Sequence, residues 1–480
     1  MGFSIRGVIE GFYGRPWSWA ERERMVDFMG QHGYNLYIYA PKNDPIHRNR
    51  WREPYLPEEL ERFHSLLLRC EANGIEFVYG ISPLAYHYNS EEYWAVLWSK
   101  LEPLHRIGCR SFSVLLDDMP DKFRYPDDET RFGSIAGAQT WLNNRVAAAL
   151  AEAGGLKRLV FCPTEYHGEG DSPYLRELGE KLSPVVEVEW TGREVCSPQL
   201  TTAEGRKLSS VLKRPVLFWD NYPVNDLDMQ MDPHIRPIRG RDADLDTACA
   251  GIVVNGALQP EASLIAFHTY AQYMADPKGY KPDMAWQKAL LAVTGNAEDA
   301  AAVALLGDLS RRSALEKGEH LNNRLLPELT LFWERWGGVP AVAGPDLPDL
   351  PESAPKVKPG PGTAADRALA LQEIGEEFDY MRRAADRLLT GMANLELQAD
   401  LRPWATKMHG WALVGEQAVA VLSRALANPH DPGLSMVRRA VLDQILTTRE
   451  NFHWVNGDLI DQFARRALWA AERLKEEETR

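Results

Sequence analysis

The chain has 480 residues, is 45% apolar and 25% charged, and carries a net charge of −14 at pH 7. The balance is that of a soluble globular protein, and the acidic excess excludes an obligate polyanion such as nucleic acid, which needs a concentrated positive field. No uncharged run approaches the ~20 residues required to cross a bilayer, so no membrane partner is expected. The N-terminal segment lacks the apolar core of a signal peptide. The five cysteines, Cys70, Cys109, Cys162, Cys196 and Cys249, are odd in number, widely spaced and free of C-x-x-C pairs. That pattern argues against a disulfide framework or a zinc knuckle and predicts a reduced, cytoplasmic protein.

Along the chain, short β-rich runs alternate with amphipathic helical stretches. Strands are predicted at Ser4–Glu10, Tyr34–Ala40, Ile75–Ile81, Ser111–Asp117, Arg158–Cys162, Val185–Trp190, Pro215–Trp219 and Gly251–Asn255. Most are nearly continuous apolar runs, as in parallel strands covered on both faces. Helices are predicted at Trp19–Gln31, Pro57–Asn73, Glu91–Ile107, Ala136–Ala153 and Glu261–Met274. Eight β/α units predict a (β/α)8 barrel over residues 1–282, with an open doubly wound sheet as the structural alternative. Helical periodicity without β-rich runs then marks a spacer at 283–338 (Ala285–Thr294, Ala297–Leu309, Leu321–Trp336). Residues 339–363 are rich in Pro and Gly and predict a loop or linker. From 364 to 480 a helical bundle is expected, on the stripe Ile374, Phe378, Met381, Ala385, Leu388, Met392 and on Trp404–Leu426, Ser435–Asn451 and Leu459–Leu474.

A (β/α)8 barrel places its active site where the strands end. Six strand ends carry polar or aromatic groups: Glu10 to Trp17, Ala40 to Asp44, Asp117-Asp118, Pro163 to Tyr166, Trp219 to Tyr222 with Asp226, and Asn255. The mixture suits a pyranose, whose hydroxyls pair with Asp and Asn and whose C–H faces pack on Tyr and Trp. Two adjacent carboxylates, Asp117 and Asp118, would repel if both were charged and partly desolvated, so one is expected to hold a proton above the ordinary range. A helix cap, a metal site or a solvated loop would also account for the pair. Metal is disfavoured because no His or third acidic residue stands at ligand spacing, and no cofactor is expected. Ordinary glycosidases set two carboxylates on opposite sides of the scissile bond. Sequence neighbours more naturally serve one side, which leaves room for a substrate 2-acetamido group to act as the nucleophile.

At these same residues the sequence resembles glycoside hydrolase family 84, the O-GlcNAcases and bacterial β-N-acetylglucosaminidases. The resemblance is carried by Gly7 to Trp17 (GVIEGFYGRPW), Tyr39 to Pro45 (YAPKNDP), Trp51-Arg52-Glu53, Leu116-Asp117-Asp118, Pro163 to Tyr166 (PTEY), and Trp219-Asp220-Asn221 with Asp226. It implies that Asp117 orients and polarises the acetamido group and that Asp118 is the general acid and then the base, with retention through an oxazoline. It further implies that Tyr166, Trp219 and Asn221 surround the acetamido group, while Gly11 (through its backbone), Lys42, Asp226 and Asn255 hold sugar hydroxyls. The chain departs from the family at Asn255-Gly256, where Asn-Pro is usual. The expected activity is exo-removal of terminal β-linked GlcNAc from a glycoprotein, peptide or glycan, including GlcNAc on Ser or Thr. The alternatives are a GlcNAc-binding protein without turnover and a barrel hydrolase of other chemistry. The helical tail resembles the family's stalk, implying a homodimer, and Phe452, Trp454 and Trp469 are expected chiefly as core.

Overall fold

The structure, a computed structural model, describes residues 2–318, 323–339 and 360–478. All eight expected strands form: β1 (Ile5–Glu10), β2 (Leu36–Tyr39), β3 (Glu76–Ile81), β4 (Ser111–Leu115), β5 (Arg158–Cys162), β6 (Val186–Trp190), β7 (Val216–Asp220) and β8 (Gly251–Asn255). They are parallel and close into a barrel in sequence order, because β1 pairs with both β2 and β8. That closure excludes the open sheet.

The connecting helices are α1 (Trp19–Gln31), α2 (Pro57–Ala72), α3 (Glu91–Arg106), α4 (Pro126–Phe132), α5 (Ile135–Glu152), α6 (Pro173–Lys181), α7 (Thr202–Leu212) and α8 (Pro260–Ala275). The sequence reading missed α4, α6 and α7, which run only 7, 9 and 11 residues, too short for a helical period to stand out. Their starts were nonetheless legible: Ser172 caps α6, and Thr201 with Glu204 forms a capping box on α7.

Strand alternation sorts the side chains, since successive residues face opposite sides of a sheet. Ile9, Ile38, Val78, Leu115, Val160, Leu217 and Val253 fill the barrel interior. Glu10, by contrast, turns outward beneath α1. Its carboxylate pairs with Arg22 at 2.7 Å and accepts from Trp17 N and Tyr37 Oη, at 2.9 and 2.8 Å. Asp220 likewise turns outward and pairs with Arg241, both side chains being buried. These two motif acids fasten the outer layer and take no place in the pocket.

The chain divides into two compact units, residues 1–229 with 237–289, and residues 230–236 with 290–480. The helix α9 (Pro282–Thr294) runs from the first into the second. The second unit then holds α10 (Ala297–Leu309), α11 (Leu325–Trp336), α12 (Ala364–Thr390), α13 (Leu395–Ala427), α14 (Leu434–Glu450) and α15 (Leu459–Glu478). The long α13 packs against α12, α14 and α15 around Phe378, Trp404, Trp411 and Phe463, all buried. Segment 230–236 is tied in by Trp404 Nε1 and Trp454 N, which both donate to Met231 O at 2.7 Å.

Two expectations for this region need comment. The Pro/Gly-rich segment expected at 339–363 lies mostly outside the described residues, as do residues 321 and 322 of the expected helix. The core assignment of the aromatic cluster fails: Phe452 is 64% exposed, and Trp454 and Trp469 are only half-buried. Phe452 follows the end of α14, where the chain turns, and its ring stacks on that of His453 with centroids 4.2 Å apart instead of entering the core. No helix among the described residues is long and apolar enough to cross a membrane.

Candidate active site

One cavity at the C-terminal ends of the barrel strands gathers every residue to which the family resemblance gives a site role: Gly11, Lys42, Asp117, Asp118, Tyr166, Trp219, Asn221, Asp226 and Asn255. It also takes in residues that the sequence did not single out for the pocket, among them Tyr13, Thr191, Val195, Cys196 and Val224. Thr191, Val195 and Cys196 follow β6, whose end is not among the six strand ends singled out from the sequence. Tyr13 sat in plain view within the first motif.

The acidic pair is presented by a braced turn. Leu116 N donates to Cys162 O at 2.9 Å, and Thr164 Oγ1 donates to Leu116 O at 2.8 Å. Asp118 then adopts φ 55°, a left-handed conformation that Asp tolerates better than most residues. The turn brings two consecutive carboxylates to one pocket, where an extended strand would send them to opposite faces.

The two acids differ in their surroundings. Asp117 is buried and ion-paired through Oδ2 with the Lys42 ammonium, while its Oδ1 is buried and accepts no hydrogen bond from the described residues. Asp118 stands at the open side. Its Oδ1 accepts from Tyr166 Oη at 2.9 Å and its Oδ2 from Tyr13 Oη at 2.8 Å. Arg48 donates in turn to Tyr13 Oη at 2.6 Å. Burial pulls Lys42 down, but the charges of Asp117 and Asp118 and the bond to Asp117 outweigh it and leave its ammonium firmer than usual.

The expectation that repulsion would lift a proton affinity within the pair is not met at Asp118. Burial pushes its carboxyl up, but the charge of Lys42 and the hydroxyls of Tyr13 and Tyr166 overcome that push and hold it below the ordinary range. The reason is the buried cation, which the sequence placed at the rim but could not place beside the acids. Replacement Tyr13→Phe removes a donor that favours the ionised form, so the Asp118 carboxyl should titrate at higher pH than in the parent. NMR titration of its side-chain carbon in the two proteins tests this, and an unchanged midpoint would contradict the assignment.

An amide chain forms another part of the wall. Gly11 N donates to Asn255 Oδ1 at 3.0 Å, Asn255 Nδ2 to Asn221 Oδ1 at 2.9 Å, and Trp219 Nε1 to the same Oδ1 at 2.8 Å. Asn221 Nδ2 donates to Val195 O at 2.8 Å. Both side-chain groups of Asn255 are therefore engaged by the protein. The Gly11 N–H is taken as well, which leaves its carbonyl as the backbone group to meet a ligand. A Cβ at Gly11 would lie 2.5 Å from the Trp219 ring, so this glycine permits the indole to close the pocket. Gly256, the departure from Asn-Pro, is explained similarly: a Cβ there would lie 2.4 Å from Trp17. Asp226 Oδ2 accepts from Tyr13 N at 2.7 Å, and burial, opposed by that bond and by Lys42, leaves its carboxyl above the ordinary range.

The closed parallel barrel, with paired carboxylates, a buried lysine and an aromatic wall at its strand ends, presents the mixture of groups that suits a sugar ring. Residues 6–307 match the family model described as beta-N-acetylglucosaminidase, and the chain belongs to that family. It is 37% identical over 286 residues to the protein O-GlcNAcases of Rattus norvegicus and Mus musculus. Those alignments cover 58% of this chain and 31% of each relative, so the chain matches under a third of their length. A solved structure of an O-GlcNAc hydrolase mutant from Thermobaculum terrenum superposes with a TM-score of 0.88 at 30% identity, covering 99% of this chain and 97% of that one.

Proposed function

We propose that the protein is a retaining exo-β-N-acetylglucosaminidase that removes terminal β-linked GlcNAc, including GlcNAc on Ser or Thr of proteins, by substrate-assisted catalysis. The observation that carries this reading is the division of labour within the acidic pair. Asp117 is locked to Lys42 and keeps one buried oxygen without a donor, a group suited to accept an acetamido N–H. Asp118 stands at the open side between two phenols, where a leaving oxygen would arrive.

In this reading Asp117 accepts the acetamido N–H and orients the carbonyl oxygen toward the anomeric carbon. Asp118 donates a proton to the departing oxygen as the oxazoline forms, then takes one from the water that opens it. Each step inverts the anomeric centre, and the two together retain it. Sugar binding expels water from around Asp118, which favours its protonated form before the first step. Tyr166, Trp219 and Asn221 enclose the acetamido group, and Lys42, Asp226, Asn255 and the Gly11 carbonyl face the hydroxyls. The names of the relatives and the family support GlcNAc as the sugar.

An aryl N-acetyl-β-D-glucosaminide, followed by NMR, tests the whole reading. The expected product is the β-anomer of free GlcNAc, and fluorination of the N-acetyl group should slow release stepwise by weakening the internal nucleophile. Sugar binding without release would favour a lectin-like role, and release insensitive to fluorination would remove substrate assistance. The proposal extends to a homodimer through the second unit, which sedimentation of the purified protein would decide. It also extends to a cytoplasmic location, for which the five free cysteines are the support and cell fractionation the test.

A further inference from the structure

Below the pocket floor lies a carboxyl group that the proposed mechanism does not use. Glu189 is on β6, in register with Leu217 of β7. Parallel partners in register face the same side of a sheet, and Leu217 belongs to the barrel interior. Glu189 therefore points inward, among Leu115, Val160, Cys162, Leu217 and Val253, none of which offers it a strong partner. It is 0% exposed, and neither carboxylate oxygen has a hydrogen-bond partner among the described residues. A charged carboxylate in such a place would be very costly, whereas the neutral acid loses much less.

The neighbouring charges give this acid its significance. Above it, at the end of β4, Asp117 pairs with Lys42, and Asp118 follows at the open side. Cys162 of β5 forms part of the floor between them. Below it on the same strand, Glu187 pairs with Arg158, which also pairs with Glu76 of β3 at 3.0 Å. The lower acids thus have their own cation. In the upper group Lys42 is the cation paired with Asp117, and its charge also acts on Asp118, to which Arg48 adds a smaller one.

We propose that Glu189 is a positioning residue of the active site, a neutral acid whose protonation leaves the positive charge of Lys42 wholly to Asp117 and Asp118. This inference rests on the function proposed above for those two residues. When Glu189 ionises, a third negative charge draws on the same ammonium, loosens its hold on Asp117 and spoils the alignment of the acetamido group. Burial, with the charge of Asp117 adding, pushes the Glu189 carboxyl up to about 8, Lys42 opposing and Glu187 adding further. The residue is accordingly neutral at pH 6 and largely charged at pH 9.

The test is Glu189→Gln, with Glu189→Leu as a second variant should the first fold poorly. Activity of Glu189→Gln relative to wild type on the aryl glycoside is expected within about threefold at pH 6 and to rise about tenfold by pH 9, one unit of titration being tenfold. A ratio that does not change with pH would overturn the positioning role. The thermal midpoint supplies an arm independent of catalysis. Folded Glu189 titrates above its unfolded value, so wild type loses stability relative to either variant as pH rises from about 4.5 to about 8, and the difference then levels off. A constant difference in Tm would overturn the assignment of Glu189 as a buried neutral acid. If wild type hydrolyses nothing at any pH, the proposed function fails, and the Tm arm still tests the neutral acid by itself.

Discussion

Asp118→Asn should reduce kcat/KM by about 10²- to 10⁴-fold on substrates with a poor leaving group, the usual contribution of a positioned general acid and base. The loss should be smaller for an acidic phenol, which departs without help, and largest for a serine or threonine oxygen. The fold should survive, because Asp118 stands at the open side and an amide can accept from one phenol through its oxygen and donate to the other through its nitrogen. A series of aryl glycosides of graded acidity checks the assignment. In the variant, the logarithm of the rate should depend steeply on the leaving-group pKa, and a dependence parallel to the parent's would assign the proton transfer elsewhere.

The second large effect is expected at Asp117, and it has two parts. Asp117→Asn removes the charge that polarises the acetamido group, a loss of about 10²- to 10³-fold, comparable to deleting one preorganised electrostatic partner. It also leaves the Lys42 ammonium buried without its counter-ion, and breaking such a pair costs about 3–5 kcal/mol. The variant should therefore melt well below the parent and show a weakened response to fluorination of the N-acyl group, with little change in its response to leaving-group acidity. The crossed pattern separates the two acids. If both variants altered the same slope, the division of labour would be wrong.

Much of this molecule could be read in one dimension. The strands are short apolar runs bounded by turns, and all eight stand within two residues of their expected ends, since a parallel strand covered on both faces cannot hide its composition. The site was legible for a related reason. In a (β/α)8 barrel every C-terminal strand end meets one rim, so a residue just after a strand has its neighbourhood fixed by topology alone. That is why the strand-end segments holding Gly11, Lys42, Asp117, Asp118, Tyr166, Trp219, Asn221 and Asn255, with Asp226 a few residues past its strand, fall on one rim, where the family resemblance picks out the individual residues.

What the sequence could not decide was where each side chain points and which charge stands beside it. Glu10 and Asp220 belong to the same motifs as the pocket residues but face outward to Arg22 and Arg241. In Val186-Glu187-Val188-Glu189, alternation would ordinarily send the acids to solvent and the valines to the core. The structure instead buries the valines beneath the helices and turns the acids toward the barrel interior. Lys42 and Asp117 lie 75 positions apart, and only the fold makes them an ion pair that keeps Asp118 ionised in the free pocket. Tyr13 meets Asp118, and Arg48 meets Tyr13, in the same way. The sequence by itself thus determined the barrel and its rim, because those follow from local composition and one topological rule, while the family resemblance marked out the acidic pair on that rim. Which way the acids face and what protons they hold was left to tertiary structure, because electrostatic interactions depend on distances that close only when the barrel does.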